Sequence, residues 1–198
     1  MTNNKIITIS RQFGSGGRTV GKQLAARLGI PCYDQELIEK LAQASGFTPE
    51  MVAKQQEASP YSSCWAFALS EGQFMGASIQ DQLWQLQREI ILDLAEKGSC
   101  VIVGRCADVI LKDYADCLTV FIHARKEKRA KRIVEVYGET EVAIEKRIRD
   151  KDKRRAVYYE FYTGQTWGLA ENFHVALDSG ELGIERCTDT LTALHQCR

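Results

Sequence analysis

Gly14, Ser15, Gly16, Gly17, Arg18 and Thr19 put three glycines, two hydroxyls and a guanidinium into one short stretch. Glycine allows positive φ and lets a backbone turn close on a ligand. If a helix begins here, its first N–H groups have no internal partners, and its dipole favours negative charge at that end. Phosphate is the ligand such a turn suits. Thr19 stands where a Ser/Thr ligand to nucleotide-bound Mg²⁺ is expected. A glycine-rich turn after a strand also serves simply as a turn.

The usual phosphate-loop signature is G-x-x-x-x-G-K-[ST]. Two frames bring this chain near it, and neither matches fully. With Gly16 as the second glycine, the first glycine falls on Arg11 and the lysine on Gly17. With Gly17-Arg18-Thr19 as the closing triplet, the lysine becomes Arg18 and the first glycine Gln12.

A second chemical signal is charge. Residues 125–155 hold thirteen Lys/Arg against seven Asp/Glu, while the whole chain is neutral with 26 of each. A local cationic surplus points to a localised anion or to a solvated helix face. Phosphoryl transfer needs in-line positioning and dispersed positive charge, and arginine grips phosphate oxygens in pairs. Arg105 follows an apolar run directly, at the strand end where open α/β sheets bind ligands. Tyr158, Tyr159, Phe161, Tyr162 and Trp167 can stack on a base, make a subunit contact or pack a helix onto the sheet. His123 follows a strand without an evident Ser or Cys partner, so a hydrolytic triad is not expected.

The elements that must position these groups alternate. Lys5–Ser10 reads as a buried strand, and Val20, Leu24, Ala25 and Leu28 recur at helical spacing until Gly29. Ile30–Tyr33 reads as a second strand, with Asp34 as N-cap of a helix over Gln35–Ala44. Thr48-Pro49-Glu50 opens another helix. Residues 58–77 carry no clear pattern. A long amphipathic helix spans 78–97, and strand 99–103 follows. A short helix is expected over 107–112, a strand over 118–122, and helices over 126–137 and 140–162 broken at Gly138. The last strand is 173–177 and the last helix runs from Ile184. Strands alternating with helices predict a parallel sheet covered on both faces, within one domain over residues 1–198.

Composition excludes several classes. A hydrophobic share of 44% supports an ordinary core. No apolar run is long enough for a membrane span or a signal h-region, which predicts a soluble, cytoplasmic protein without membrane contact. Seven cysteines include no C-x-x-C pair, so reduced thiols are expected rather than a zinc site. Nucleic-acid binding is not expected, because the sequence pI is about 6.8 and no recognised motif occurs.

Five segments in order resemble the cytidylate-kinase-like family: Ile7–Thr19, Ile30–Ile38, Val101–Leu111, Asp152–Arg155 and Tyr158–Trp167. The resemblance runs from residue 6 to about 190. It implies a P-loop kinase three-layer sandwich, with a five-stranded parallel sheet and a helical lid. It also implies an acceptor region at about 35–95, a lid at about 138–165, and ATP and Mg²⁺ as cofactors. The implied activity is phosphorylation of a nucleoside monophosphate, with CMP or dCMP first. By the resemblance, Gly14, Ser15, Gly16, Gly17, Arg18 and Thr19 hold the ATP phosphates, with Thr19 serving Mg²⁺. Asp34, Arg105, Asp152 and Arg155 meet the acceptor. Arg18, Arg105, Arg129, Lys151 and Arg155 are the catalytic cations. The chain departs from the pattern of cytidylate kinases proper at the missing loop lysine, at Cys106 where a G-R-D aspartate is usual, and in the aromatic segment. Asp108 is a candidate stand-in for that aspartate. Two other readings stay open: a kinase of another small metabolite, and a nucleotide-binding protein without turnover.

Overall fold

Alternate residues of strand β1 (Lys5–Arg11) face opposite sides of one sheet. Ile7 and Ile9 enter one apolar cluster and Ile6 another. A strand buried on both faces is the mark of a sheet covered by helices on each side. The computed structural model describes residues 4–34, 36–52, 79–113, 116–138 and 140–197.

Helix α1 (Gly17–Leu28) follows β1, then come β2 (Cys32–Tyr33), α2 (Glu36–Ser45), α3 (Ile79–Lys97) and β3 (Cys100–Val103). Next are α4 (Ala107–Ile110), β4 (Asp116–His123), α5 (Lys126–Tyr137), α6 (Ile144–Thr163), β5 (Val175–Asp178) and α7 (Ser179–Gln196). The sheet order is β2-β3-β1-β4-β5 and every pair is parallel. Ile9 lies opposite both Val103 and Val120, so β1 is central.

On one face, Val20 and Leu24 of α1 and Cys187 and Leu191 of α7 close over Ile7, Ile9, Val101 and Val120. On the other, Leu37, Ile91, Leu94 and Ala107 cover Ile6, Cys100 and Ile102. A smaller cluster joins Leu41 and Val52 to Leu83. The result is three layers with five parallel strands, as expected. Among the described residues, no helix is long and apolar enough to cross a membrane. The six described cysteines are free thiols.

Several boundaries differ from the sequence expectation. α7 starts at Ser179 rather than Ile184, because Asp178 Oδ1 accepts from the N–H groups of Gly180 and Glu181 at 2.9 and 3.2 Å. Gly183, at φ 79°, then breaks the helix, so the expected start matches its second segment. Thr48 does cap its helical turn, accepting from Met51 N–H at 3.3 Å. The unpatterned segment 58–77 lies outside the described residues.

Candidate functional site

The turn after β1 is built from its own residues. The Ser15 hydroxyl donates to the Gln12 carbonyl at 2.9 Å, and Ser179 Oγ donates to the Ser15 carbonyl at 2.5 Å. Ser15 is therefore buried inside the turn. Gly16, at φ 79°, is the N-cap residue, and α1 begins at Gly17 without a side-chain cap. Its first amides are left for a ligand.

Because the helix begins at Gly17, the frame with Gly16 as second glycine is the structural one. Gly17 then occupies the lysine position, and Arg11 the first-glycine position. A Cβ on Gly17 would lie 2.6 Å from Arg11 Cβ and 3.1 Å from Arg11 Cγ. A Cβ on Gly104 would lie 1.8 Å from Arg11 Nη1. Two glycines thus clear the path of one arginine side chain. Asp34 stands 3.7 Å from that guanidinium and pairs more closely with Arg18. Burial, then the neighbouring Arg155, pulls the Arg11 guanidinium down to about 9, while Asp34 pulls it up. Arg11 remains a cation at neutral pH.

After β3, Gly104, Arg105 and Cys106 are all left-handed, at φ 77°, 61° and 54°. Non-glycine residues pay about 1–2 kcal/mol each for that conformation. The turn is held by Gly104 N–H to the Ile9 carbonyl at 2.9 Å and by Gln87 Nε2 to the Arg105 carbonyl at 3.0 Å. It sets Arg105 beside Arg11, whose charge Arg105 opposes.

Between these turns and α6 opens a cavity of about 250 Å³. Its cations are Arg11, Arg105, Lys151, Arg154 and Arg155, and among the described residues no Asp or Glu lines it. Phe13, Tyr158, Tyr159 and Trp167 supply aromatic walls. Arg155 Nη1 donates to the Arg11 carbonyl at 3.0 Å, which joins α6 to the end of β1. The arrangement suits an anion with a flat or apolar portion.

The candidate residues separate into groups. Arg105, Lys151 and Arg155 meet at this cavity. Arg18 turns to Asp34 instead and is not among the cavity's lining residues. The Asp34 carboxylate faces two guanidiniums. Arg129 and Asp152 are bound to each other: Arg129 Nη1 reaches Asp152 Oδ2 at 2.5 Å and the Phe13 carbonyl at 3.0 Å. Asp152 Oδ1 also accepts from Phe13 N–H at 2.7 Å. These two residues brace the glycine-rich turn and are not among the cavity's lining residues. Thr19 accepts from Arg132 Nη2 at 2.9 Å, so its hydroxyl already faces a cation. Among the described residues, no group of three His, Cys, Asp or Glu could hold a metal. The residues fit Mg²⁺ only as a companion of nucleotide phosphates.

Cys106 is buried, and burial pushes its thiol well above the ordinary range, so a neutral group stands at that position. Asp108 points elsewhere: it is buried and accepts from the Tyr159 hydroxyl at 2.6 Å. The aromatic segment packs as well as lines. Tyr162 stacks on Trp84 at 4.5 Å, and Trp167 meets Phe121 edge-on at 5.4 Å.

Sequence reasoning missed Arg11, Arg154, Gln87 and Arg132. Arg11 did carry a signal, since one signature frame places it at the first glycine. Gln87 carried none, being one glutamine among several on α3.

A cytidylate kinase of Archaeoglobus fulgidus is 32% identical over 161 residues, covering 79% of this chain and 76% of that protein. A solved protein of Eubacterium ventriosum superposes with TM-score 0.74 at 28% identity, over 98% of this chain and 99% of its own. Shikimate kinase of Bacteroides thetaiotaomicron shares the fold, with TM-score 0.57 at 16% identity over 97% and 98% of the two chains. The model of the cytidylate kinase-like family matches residues 6–181, and the chain belongs to that family.

Proposed function

We propose that this protein transfers the γ-phosphoryl group of ATP to a nucleoside monophosphate, with CMP or dCMP as acceptor. The observation that carries this reading is the cationic cavity at the ends of β1 and β3, where Arg11, Arg105, Lys151, Arg154 and Arg155 converge beside the glycine-rich turn. Family membership supports a kinase, and the cavity supports an anionic acceptor.

In this reading the turn from Gly14 to Thr19 holds the triphosphate with its backbone amides. Arg105 and Arg155 orient the acceptor phosphate. One of its oxygens attacks the γ-phosphorus in line, and the bond to the bridging oxygen breaks, leaving ADP. That oxygen is already deprotonated at neutral pH, so no side chain need remove a proton. Lys151, Arg154 and Arg155 spread positive charge over the moving group. All three lie on α6, so closure of 138–165 over the nucleotides would complete the site and exclude water.

The test is an ATP-consumption assay with Mg²⁺ against CMP, dCMP, UMP, AMP and GMP. Fast turnover on a pyrimidine monophosphate is expected. Silence across the panel, with ATP bound, moves the acceptor to another small anionic metabolite. Cys106 favours that second reading, since it leaves a neutral group where the G-R-D motif of cytidylate kinases carries an aspartate.

A further inference from the structure

We propose that Arg11 supplies the phosphate-binding cation that the usual phosphate loop takes from its lysine, delivered from the strand end rather than from the helix start. The inference rests on the kinase reading above and names the residue that completes its phosphate site.

Three observations converge on Arg11. The first is place. α1 starts at Gly17, so Gly17 holds the lysine position, and the Arg11 stem lies directly over it. A side chain at residue 17 would begin 2.6 Å from Arg11 Cβ. The arginine stem therefore fills the space in which a lysine stem would start. The two departures from the signature are one exchange: the cation moves from residue 17 to residue 11, and a glycine takes the vacated position.

The second is direction. The guanidinium passes Gly104, where even a methyl group would overlap Nη1, and reaches the cavity that Arg105 and Arg155 also line. It thus stands at the junction of the phosphate turn and the cationic cavity, where a transferred phosphoryl group must pass. Arg18, the other candidate replacement, is turned to Asp34.

The third is partnership. Among the described residues, Arg11 feels three cations, Arg155, Arg105 and Arg18, against one carboxylate, Asp34, at 3.7 Å. A guanidinium crowded by like charges in a partly buried setting is unfavourable alone. A phosphate dianion relieves that repulsion and gains paired N–H···O bonds.

The experiment is calorimetric titration of ATP into the full chain and three variants, each checked for folding by circular dichroism. Arg11→Met keeps the stem and removes the charge; it is expected to weaken ATP binding by about tenfold or more. Arg11→Lys keeps the charge but loses the paired bonds, so its affinity should fall between those of Arg11→Met and the original protein. The double variant Arg11→Gly/Gly17→Lys rebuilds the usual signature and should recover most of the affinity lost in Arg11→Met. A merely structural arginine would not be rescued by a lysine at a different chain position. Binding by Arg11→Met equal to the original overturns the inference while leaving the kinase reading intact. So does a folded double variant that binds no better than Arg11→Met. If the double variant fails to fold, equal binding by Arg11→Lys and Arg11→Met overturns it instead. Absence of ATP binding by the original protein sinks the kinase reading, and this inference with it.

Discussion

Buried Arg129 on α5 and half-buried Asp152 on α6 form an ion pair, with side chains only 4% and 17% exposed, and both also bond the backbone of Phe13. The turn after β1 is thereby clamped by two helices. A desolvated charge left without its partner is costly, about 3–5 kcal/mol. Asp152→Ala and Arg129→Ala are each expected to lose stability of that order in urea denaturation. Arg129→Met/Asp152→Leu should lose less than either single change, because no orphaned charge remains. Single changes costing under about 0.5 kcal/mol would show that the pair is idle.

Gln87 is fully buried on α3 and ties down the strained turn that carries Arg105. Replacing it by leucine removes the Nε2 donation to the Arg105 carbonyl. Gln87→Leu should cost about 1–3 kcal/mol of stability. The released turn can relax from its left-handed conformation and carry Arg105 away from the cavity. In the proposed reaction the acceptor KM should therefore rise more than kcat falls. A change in stability with unaltered acceptor KM would mean that the turn needs no such anchor.

Gly104 meets two constraints at once, a φ of 77° and the passage of Arg11 Nη1. Gly104→Ala should impose about 1–2 kcal/mol of backbone strain. It should also displace the guanidinium, because the new methyl would overlap Nη1 at 1.8 Å. The expected result is ATP binding weakened about as much as in Arg11→Met. A stable Gly104→Ala protein with unchanged ATP affinity would place the working position of Arg11 elsewhere.

The layered fold could be read from runs such as Ile6–Ile9 and Cys100–Val103, because burial on both faces demands unbroken apolar strands. The start of α7 could not, because Asp178 follows the expected strand 173–177 with no sign of its capping role until its carboxylate is seen accepting from Gly180 and Glu181. The phosphate turn was legible as a turn. Its missing lysine was not resolvable in sequence, since two frames fitted equally badly. Only the helix start at Gly17 and the packing of Arg11 over Gly17 and Gly104 distinguish them. Within the basic segment, Arg129 and Arg155 look alike as letters. One is 4% exposed and braces the turn, while the other lines the cavity, and that difference arises from which side of α5 or α6 meets the loop.

Asp108 offers a test through pH. Its carboxyl is 4% exposed, and burial raises its pKa, although the Tyr159 hydroxyl at 2.6 Å and backbone bonds oppose the shift. A carboxyl raised in the folded state favours folding while it is protonated. That contribution is fully present below the unfolded value, about 4, and is lost as pH rises through the folded value. Asparagine keeps an acceptor for Tyr159 and never ionises. Asp108→Asn should therefore match the original protein at low pH and become the more stable of the two as pH rises to neutrality. Melting temperatures of both proteins across that range measure the difference. A gap that stays constant with pH would mean that the Asp108 carboxyl titrates alike in the folded and unfolded chains, and that the Tyr159 bond fully offsets its burial.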